Sequence, residues 1–320
     1  MRPRVLILAC TILLLIAATA QATSFVVPDD EELMVKSHAI IVGTVEGSFV
    51  RETDGTIETV YEVRIERSMK GFVAPEELVR VVSLGGVLGD RALYVASSPH
   101  FEQGDRVLLF LTRDQRGRWQ TTDMTLGKFR FVTSTKGDRL LVRDMEDVVG
   151  WDRNGQTHHE KVRREEGFLQ YIEGRIHKRI ASADYIVDAA EVTFPPADQG
   201  PPRRIAANAP FPGATYTSWV SNQPTRWPNI AAGVTFRKRA DQNISGLTDG
   251  GVSVITNGLA AWTNECGSNI NLNYGGTTPT ASTNFDSVRV VEFNDPQNRI
   301  AGSWTGSGTI GICFLSFSSS

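Results

Sequence analysis

Histidine is scarce in this chain of 320 residues and unevenly placed. There are five, at positions 38, 100, 158, 159 and 177, and none follows His177. Everything after that point therefore lacks imidazole, the commonest metal ligand and general base. Cysteine is as sparse, with only Cys10, Cys266 and Cys313. Neither charge sign dominates: 33 Lys+Arg stand against 36 Asp+Glu, for a formal net charge of -3. That balance gives no general electrostatic reason to expect nucleic acid or an anionic membrane as partner. Beyond the first residues there is no second long apolar run, so no membrane span is expected in the mature chain. No Gly-x-Ser-x-Gly elbow is present, which leaves serine hydrolysis without support.

What is there is a globular composition, 41% hydrophobic and 22% charged, long enough for two domains. Residues 1–22 read as a secretory signal peptide. Arg2 and Arg4 precede the apolar run Val5 to Ala18, and Ala18-Thr19-Ala20 and Ala20-Gln21-Ala22 are small-x-small cleavage candidates. The expected location is secreted or periplasmic. Cys10 falls in the apolar run as a passenger. Cys266 and Cys313 then read as one disulfide in an oxidising compartment, the alternative being two unpaired small apolar side chains.

Residues 25–150 read as a β-rich domain. Asp54-Gly55 is a hairpin turn signal, followed by the alternation Ile57, Thr59, Tyr61, Val63, Ile65 against Glu58, Val60, Glu62, Arg64, Glu66. Leu78 to Leu84, Val107 to Leu111, Trp119 to Thr122, Lys128 to Val132 and Leu140 to Arg143 are further strands. The order AIIVGTVEGSFV, RIERSMKG, VRVVSLGG, FEQGDRVLLFL and LGKFRF resembles the OB-like, netrin-related β-barrel of some secreted bacterial proteins, over about residues 35–145. That resemblance implies a small barrel and no particular function. The region has no basic stripe interleaved with exposed aromatics, which disfavours nucleic acid.

Residues 151–191 read as a helical connector. The spacing of Val162, Leu169, Ile172, Ile176 and Ile180 predicts a helix over 158–180, with Lys161, Arg163, Arg164, Glu165 and Glu173 on a solvated face. His159-Glu160-Lys161-Val162-Arg163 is one residue away from the zinc motif H-E-x-x-H. Arg163 stands at the second ligand position and has no lone pair to donate. Residues 192–213 form a Pro-rich linker, with prolines at 195, 196, 201, 202, 210 and 212.

Residues 214–320 read as a Trp-Pro turn entering a strand over Thr225 to Arg237, a helix carrying Val252, Ile255, Leu259 and Trp262 with Thr248 or Asp249 as cap, then strands at Asn269 to Tyr274, Ser287 to Phe293 and Ile310 to Phe317. The order strand, helix ending AAWTN, strand INLNY, strand VRVVEF resembles the front half of a metzincin, matrixin-like zinc metallopeptidase domain, over Trp227 to Phe317. The resemblance implies an incomplete α/β (α+β) metzincin-like domain behind the barrel. The family's next element, the H-E-x-x-H helix, is absent from this chain. The acidic residues after the linker, Asp241, Asp249, Glu265, Asp286, Glu292 and Asp295, are scattered. Two cysteines make no zinc site where three protein ligands are needed. Catalytic, cofactor-binding and metal residues are therefore none, and zinc is expected only if a downstream H-E-x-x-H segment exists.

Three motifs carry little. Gly306-Ser307-Gly308-Thr309-Ile310-Gly311 spells G-x-G-x-x-G without the βαβ context of a dinucleotide site, and reads as a flexible loop. Asn294-Asp295 supplies too few oxygens for calcium. Asn243-Ile244-Ser245 is a sequon that matters only in a eukaryotic secretory pathway. The expected function is a secreted metallopeptidase-related protein, truncated and inactive as given. One alternative is a non-enzymatic surface-interaction protein whose barrel recognises an extracellular protein or peptide. The other makes the barrel an inhibitory or chaperone-like pro-region, which requires contact between the halves.

Overall fold

The computed structural model describes residues 24–71, 74, 76–143, 145, 149–179, 182–188, 192–194, 217–220, 223–225, 233–264, 271–281, 288–295, 299–301, 306–311 and 314–318. The signal-peptide reading, most of the Pro-rich linker, Cys266 and Cys313 lie outside the described residues.

The first part of the chain runs β1 (Ser24–Val26), α1 (Asp30–Lys36), β2 (Ala39–Thr53), β3 (Thr56–Lys70), β4 (Leu78–Leu84), β5 (Gly86–Leu88), β6 (Arg91–Val95), β7 (Arg106–Arg113), β8 (Trp119–Thr121), β9 (Lys128–Thr133), β10 (Arg139–Arg143), β11 (Val149–Trp151), β12 (Val162–Arg164), α2 (Glu165–Ile176) and β13 (Ile186–Val187). After it come β14 (Thr217–Val220), β15 (Gln223–Thr225), β16 (Val234–Arg239), α3 (Val252–Thr263), β17 (Leu272–Thr278), β18 (Arg289–Val291), β19 (Gly308–Gly311) and β20 (Phe314–Ser318).

The chain is β-rich around one large mixed sheet, in the order β13-β12-β10-β9-β7-β2-β3-β4-β8. Strand β8 pairs with both β4 and β7, so the pairings β7-β2-β3-β4-β8 run in a closed circuit. The turn joining β2 to β3 is Asp54-Gly55, both with left-handed backbones at φ 49° and 73°. Two such residues are what a tight hairpin turn matched to strand twist requires.

Strand β7 explains its unbroken apolar run by being covered on both faces. Leu108 and Phe110 join Leu33, Phe129, Leu141, Phe168 and Ile172 beneath α1 and α2. Val107, Leu109 and Leu111 join Ile41, Val63, Ile65 and Val81 on the other side. Glu58, expected on the charged face of β3, is instead buried. It accepts from Arg118 at 2.7 and 2.9 Å and from Arg51 at 2.6 Å.

Two sequence expectations change in the stretch read as a connector. The helix begins at Glu165, not at His158, because Val162–Arg164 are extended and pair with β10, Leu141 opposite Arg163. Arg163 and Glu165, expected on a solvated face, are buried. The strands on either side of α2 thus extend the large sheet by β12 and β13.

A separate three-stranded parallel sheet, β17-β16-β18, lies after the linker. Helix α3 is the crossover that joins β16 to its parallel neighbour β17, a connection that parallel strands need. Asp249 caps the helix start, accepting from the amides of Gly251 at 3.0 Å and Ser253 at 2.6 Å. Of the four apolar residues expected on its buried face, Ile255 is buried and Trp262 remains 47% exposed.

The last two strands leave this sheet. β19 pairs antiparallel with β1, and β20 pairs antiparallel with β6. Among the described residues no helix is long and apolar enough to cross a membrane.

Candidate functional site

The site with the most specific chemistry is the seat that receives the end of the chain. Approach to it starts at Arg299, which donates to the Thr56 hydroxyl, and Ala301, whose amide donates to Gln120 Oε1 at 3.0 Å. Ile300 packs on the cluster formed by Phe25, Ile57, Leu93, Val95 and Leu126. Ser307 is then fully buried. Its carbonyl accepts from Lys36 Nζ at 3.0 Å, and its hydroxyl donates to Glu32 Oε1 at 2.5 Å.

Lys36 also pairs with Asp123 at 2.6 Å, both side chains being nearly buried. Asp123 itself sits in a left-handed backbone, φ 51°. Burial raises its carboxyl above the usual range, against the pull of Lys36. Helix α1 supplies Glu32 and Lys36 one turn apart, so both reach the same face. Beside them opens a cleft of about 370 Å³ lined by Asp29, Glu31, Glu32, Val35, Lys36 and Arg153, with Arg153 held to Glu32 at 2.6 Å.

Behind α1 lies a buried charge network. Asp30 accepts from Arg163 at 2.7, 2.9 and 3.1 Å and from the Tyr185 hydroxyl at 3.0 Å. Arg163 also donates to Glu160 at 2.6 Å, and Arg143 lies 3.5 Å from Asp30 and 3.8 Å from Glu160. Both guanidinium groups sit over the Phe129 ring, at 4.9 and 5.0 Å. Burial alone would raise the Asp30 carboxyl, but Arg163 and then Arg143 hold it below its usual range. Glu160 is lowered in the same way, with burial opposed by Arg143, His158 and Arg163. Burial, then the Asp30 charge, pushes the Tyr185 phenol up.

This network shows what the near-zinc motif does structurally: the motif lies ahead of the helix and its Arg163 is buried. Glu160 and Arg163 face each other as an ion pair, and His158 contacts Glu160 at 3.1 Å ahead of β12. Among the described residues after the linker, the acidic side chains are engaged by the protein itself. Asp241 and Glu292 both bind Arg239, Asp249 caps α3, and Asp295 accepts from the Ile300 amide. Glu265 and Asp286 lie outside the described residues, and among the described residues no three His, Cys, Asp or Glu side chains gather as a metal site.

The G-x-G-x-x-G run is no flexible loop where described: Gly308 to Gly311 is the strand that pairs with β1. Sequence reasoning missed Glu32, Lys36, Asp123, Ser307 and Gly308 as partners. One signal was present, the acidic run Asp29-Asp30-Glu31-Glu32, which marks a helix start. A second, smaller groove of about 220 Å³ lies between α3 and β17, with Leu259, Thr263, Asn271 and Tyr274 in its wall. No family model, curated protein or solved structure matches this chain.

Proposed function

We propose that this is an exported, metallopeptidase-related protein in which the β-rich front region holds the peptidase-like half by strand addition. In the form given, it does not hydrolyse peptides through zinc. The observation that carries the reading is the pairing of β19 with β1 and of β20 with β6. It joins the end of the chain to strands more than 200 residues earlier. Strand addition uses main-chain hydrogen bonds for affinity and neighbouring side chains for selectivity.

The closed circuit of pairings β7-β2-β3-β4-β8 supports an OB-like barrel at the front. The unit β16-α3-β17, with β18 parallel beside β16, supports the strand, helix, strand, strand order of the front half of a metzincin. Contact between the halves is what a pro-region-like role requires, and it favours that role over a free-standing recognition module. Export by residues 1–22 and a Cys266–Cys313 bridge belong to the same proposal.

Purified full chain, supplied with zinc and a quenched fluorescent peptide library, tests the reading. No turnover above buffer is expected. Chelator-sensitive cleavage would overturn the non-hydrolytic assignment, and solution scattering that showed two independently tumbling halves would overturn the holding role.

A further inference from the structure

We infer that the seat on the front region is a sequence-reading receptor for an extended peptide carrying Ser-Gly, and that Ser307-Gly308 of this chain is its resident occupant. The inference rests on the proposed holding role and deepens it by naming what the seat recognises.

The Ser is read by its hydroxyl, while its backbone carbonyl anchors the strand whatever the residue. Lys36 holds the Ser307 carbonyl and Glu32 takes the Ser307 hydroxyl, in a position with no solvent exposure. A residue without the hydroxyl removes the donor at Glu32 Oε1 and leaves Glu32 with Arg153 on Oε2.

The Gly is read by exclusion. Gly308 has φ +119°, a backbone that residues with a side chain rarely adopt. A Cβ there would meet Asp123 Oδ1 at 2.9 Å, Lys36 Nζ at 3.2 Å and Asp123 Cγ at 3.3 Å. These atoms are the side-chain ends of one nearly buried ion pair, which would have to shift together to admit a Cβ, so the positive φ carries most of the exclusion. The strand is held in register by the antiparallel ladder, with Gly308 opposite Val26 and Thr309 opposite Phe25. Hydroxyl and missing Cβ are thus tested at two adjacent residues, with the Ser307 carbonyl as a common anchor.

A receptor of this kind accepts the same chemistry in trans once its own segment is displaced. The Gly308→Val chain supplies that state, and Ser307→Ala is a milder second variant that keeps the backbone intact. The probe is a fluorescein-labelled synthetic peptide with the sequence of residues 299–318. Fluorescence anisotropy should show saturable binding to the Gly308→Val chain and little to the parent chain, whose seat is occupied. The peptide with Ala in place of Gly308 should bind about ten-fold more weakly or worse, given a strained backbone and a close contact. Ser307→Ala should admit the peptide to an intermediate extent.

Equal binding of the Gly and Ala peptides would overturn the inference. So would equal uptake by parent and variant chains. Hydrogen exchange of the parent chain separates this from the underlying reading: slow exchange at the β1 and β19 amides with no Gly preference sinks only the recognition code, whereas fast exchange at both sinks the holding role itself.

Discussion

Asp30 and Arg163 stand 133 residues apart in the chain and meet in a buried pair with contacts of 2.7, 2.9 and 3.1 Å. One opens α1 and the other lies in β12, so the pair fixes the first helix to the β12 end of the large sheet. Breaking a buried pair by removing one partner leaves an uncompensated charge and costs about 3–5 kcal/mol. Asp30→Ala should lower the urea midpoint accordingly. Asp30→Ala combined with Arg163→Met should cost less than Asp30→Ala and Arg163→Met added together, and a double variant as weak as that sum would speak against coupling.

Acid should unfold the front region through the same network. Asp30 and Glu160 are held below their ordinary values of 3.8 and 4.5. Carboxylates of that kind stabilise the fold above those values, and the contribution fades as pH falls through the lowered ones. Asp123, raised by burial, runs the other way: its contribution is present below 3.8 and is lost as pH rises through the raised value. Thermal midpoints should fall once pH drops below the ordinary values of 4.5 and 3.8, and Glu160→Gln should flatten that fall. An unchanged slope would show that Glu160 is not linked to folding.

Helix α3 offers two opposite tests. A Cβ on Gly258 meets nothing within 4 Å, so Gly258→Ala should stabilise the helix by about 0.5–1 kcal/mol. Asp249→Ala removes acceptors from two amides at the helix start and should cost about 1 kcal/mol. Helical circular dichroism on heating reads both. As a contrast in β2, Gly43→Ala would place a Cβ 2.5 Å from the Arg64 carbonyl oxygen and should destabilise.

Cys266 and Cys313 are expected to form one disulfide after export. Peptide mapping under non-reducing conditions should find the two linked, and two alkylatable thiols in protein from an oxidising compartment would contradict the pairing.

Much of the strand framework was legible because it depends on local pattern. Asp54-Gly55 announces its hairpin, and Val107 to Leu111 announces a strand covered on both faces. Asp249 announces the start of α3. The charged partners were not legible, because nothing local distinguishes a buried Arg163 from a solvated one. Its burial is decided by Asp30, far back in the chain, and by the rings of Phe129 and Phe168 beneath it. The seat was hidden for the same reason. Ser307-Gly308 looks like loop until Lys36 and Asp123 are brought to it by folding.

The central claim is that the end of the chain lies on the front region, and a cysteine pair tests it most directly. Arg91 of β6 and Ser318 of β20 are antiparallel partners. Cα atoms of such partners lie about 4.5–5.5 Å apart, within reach of a disulfide. In the Arg91→Cys, Ser318→Cys chain, mild oxidation should give a monomeric protein with these two residues linked. Free thiols at both positions, or a link formed only between molecules, would contradict the account.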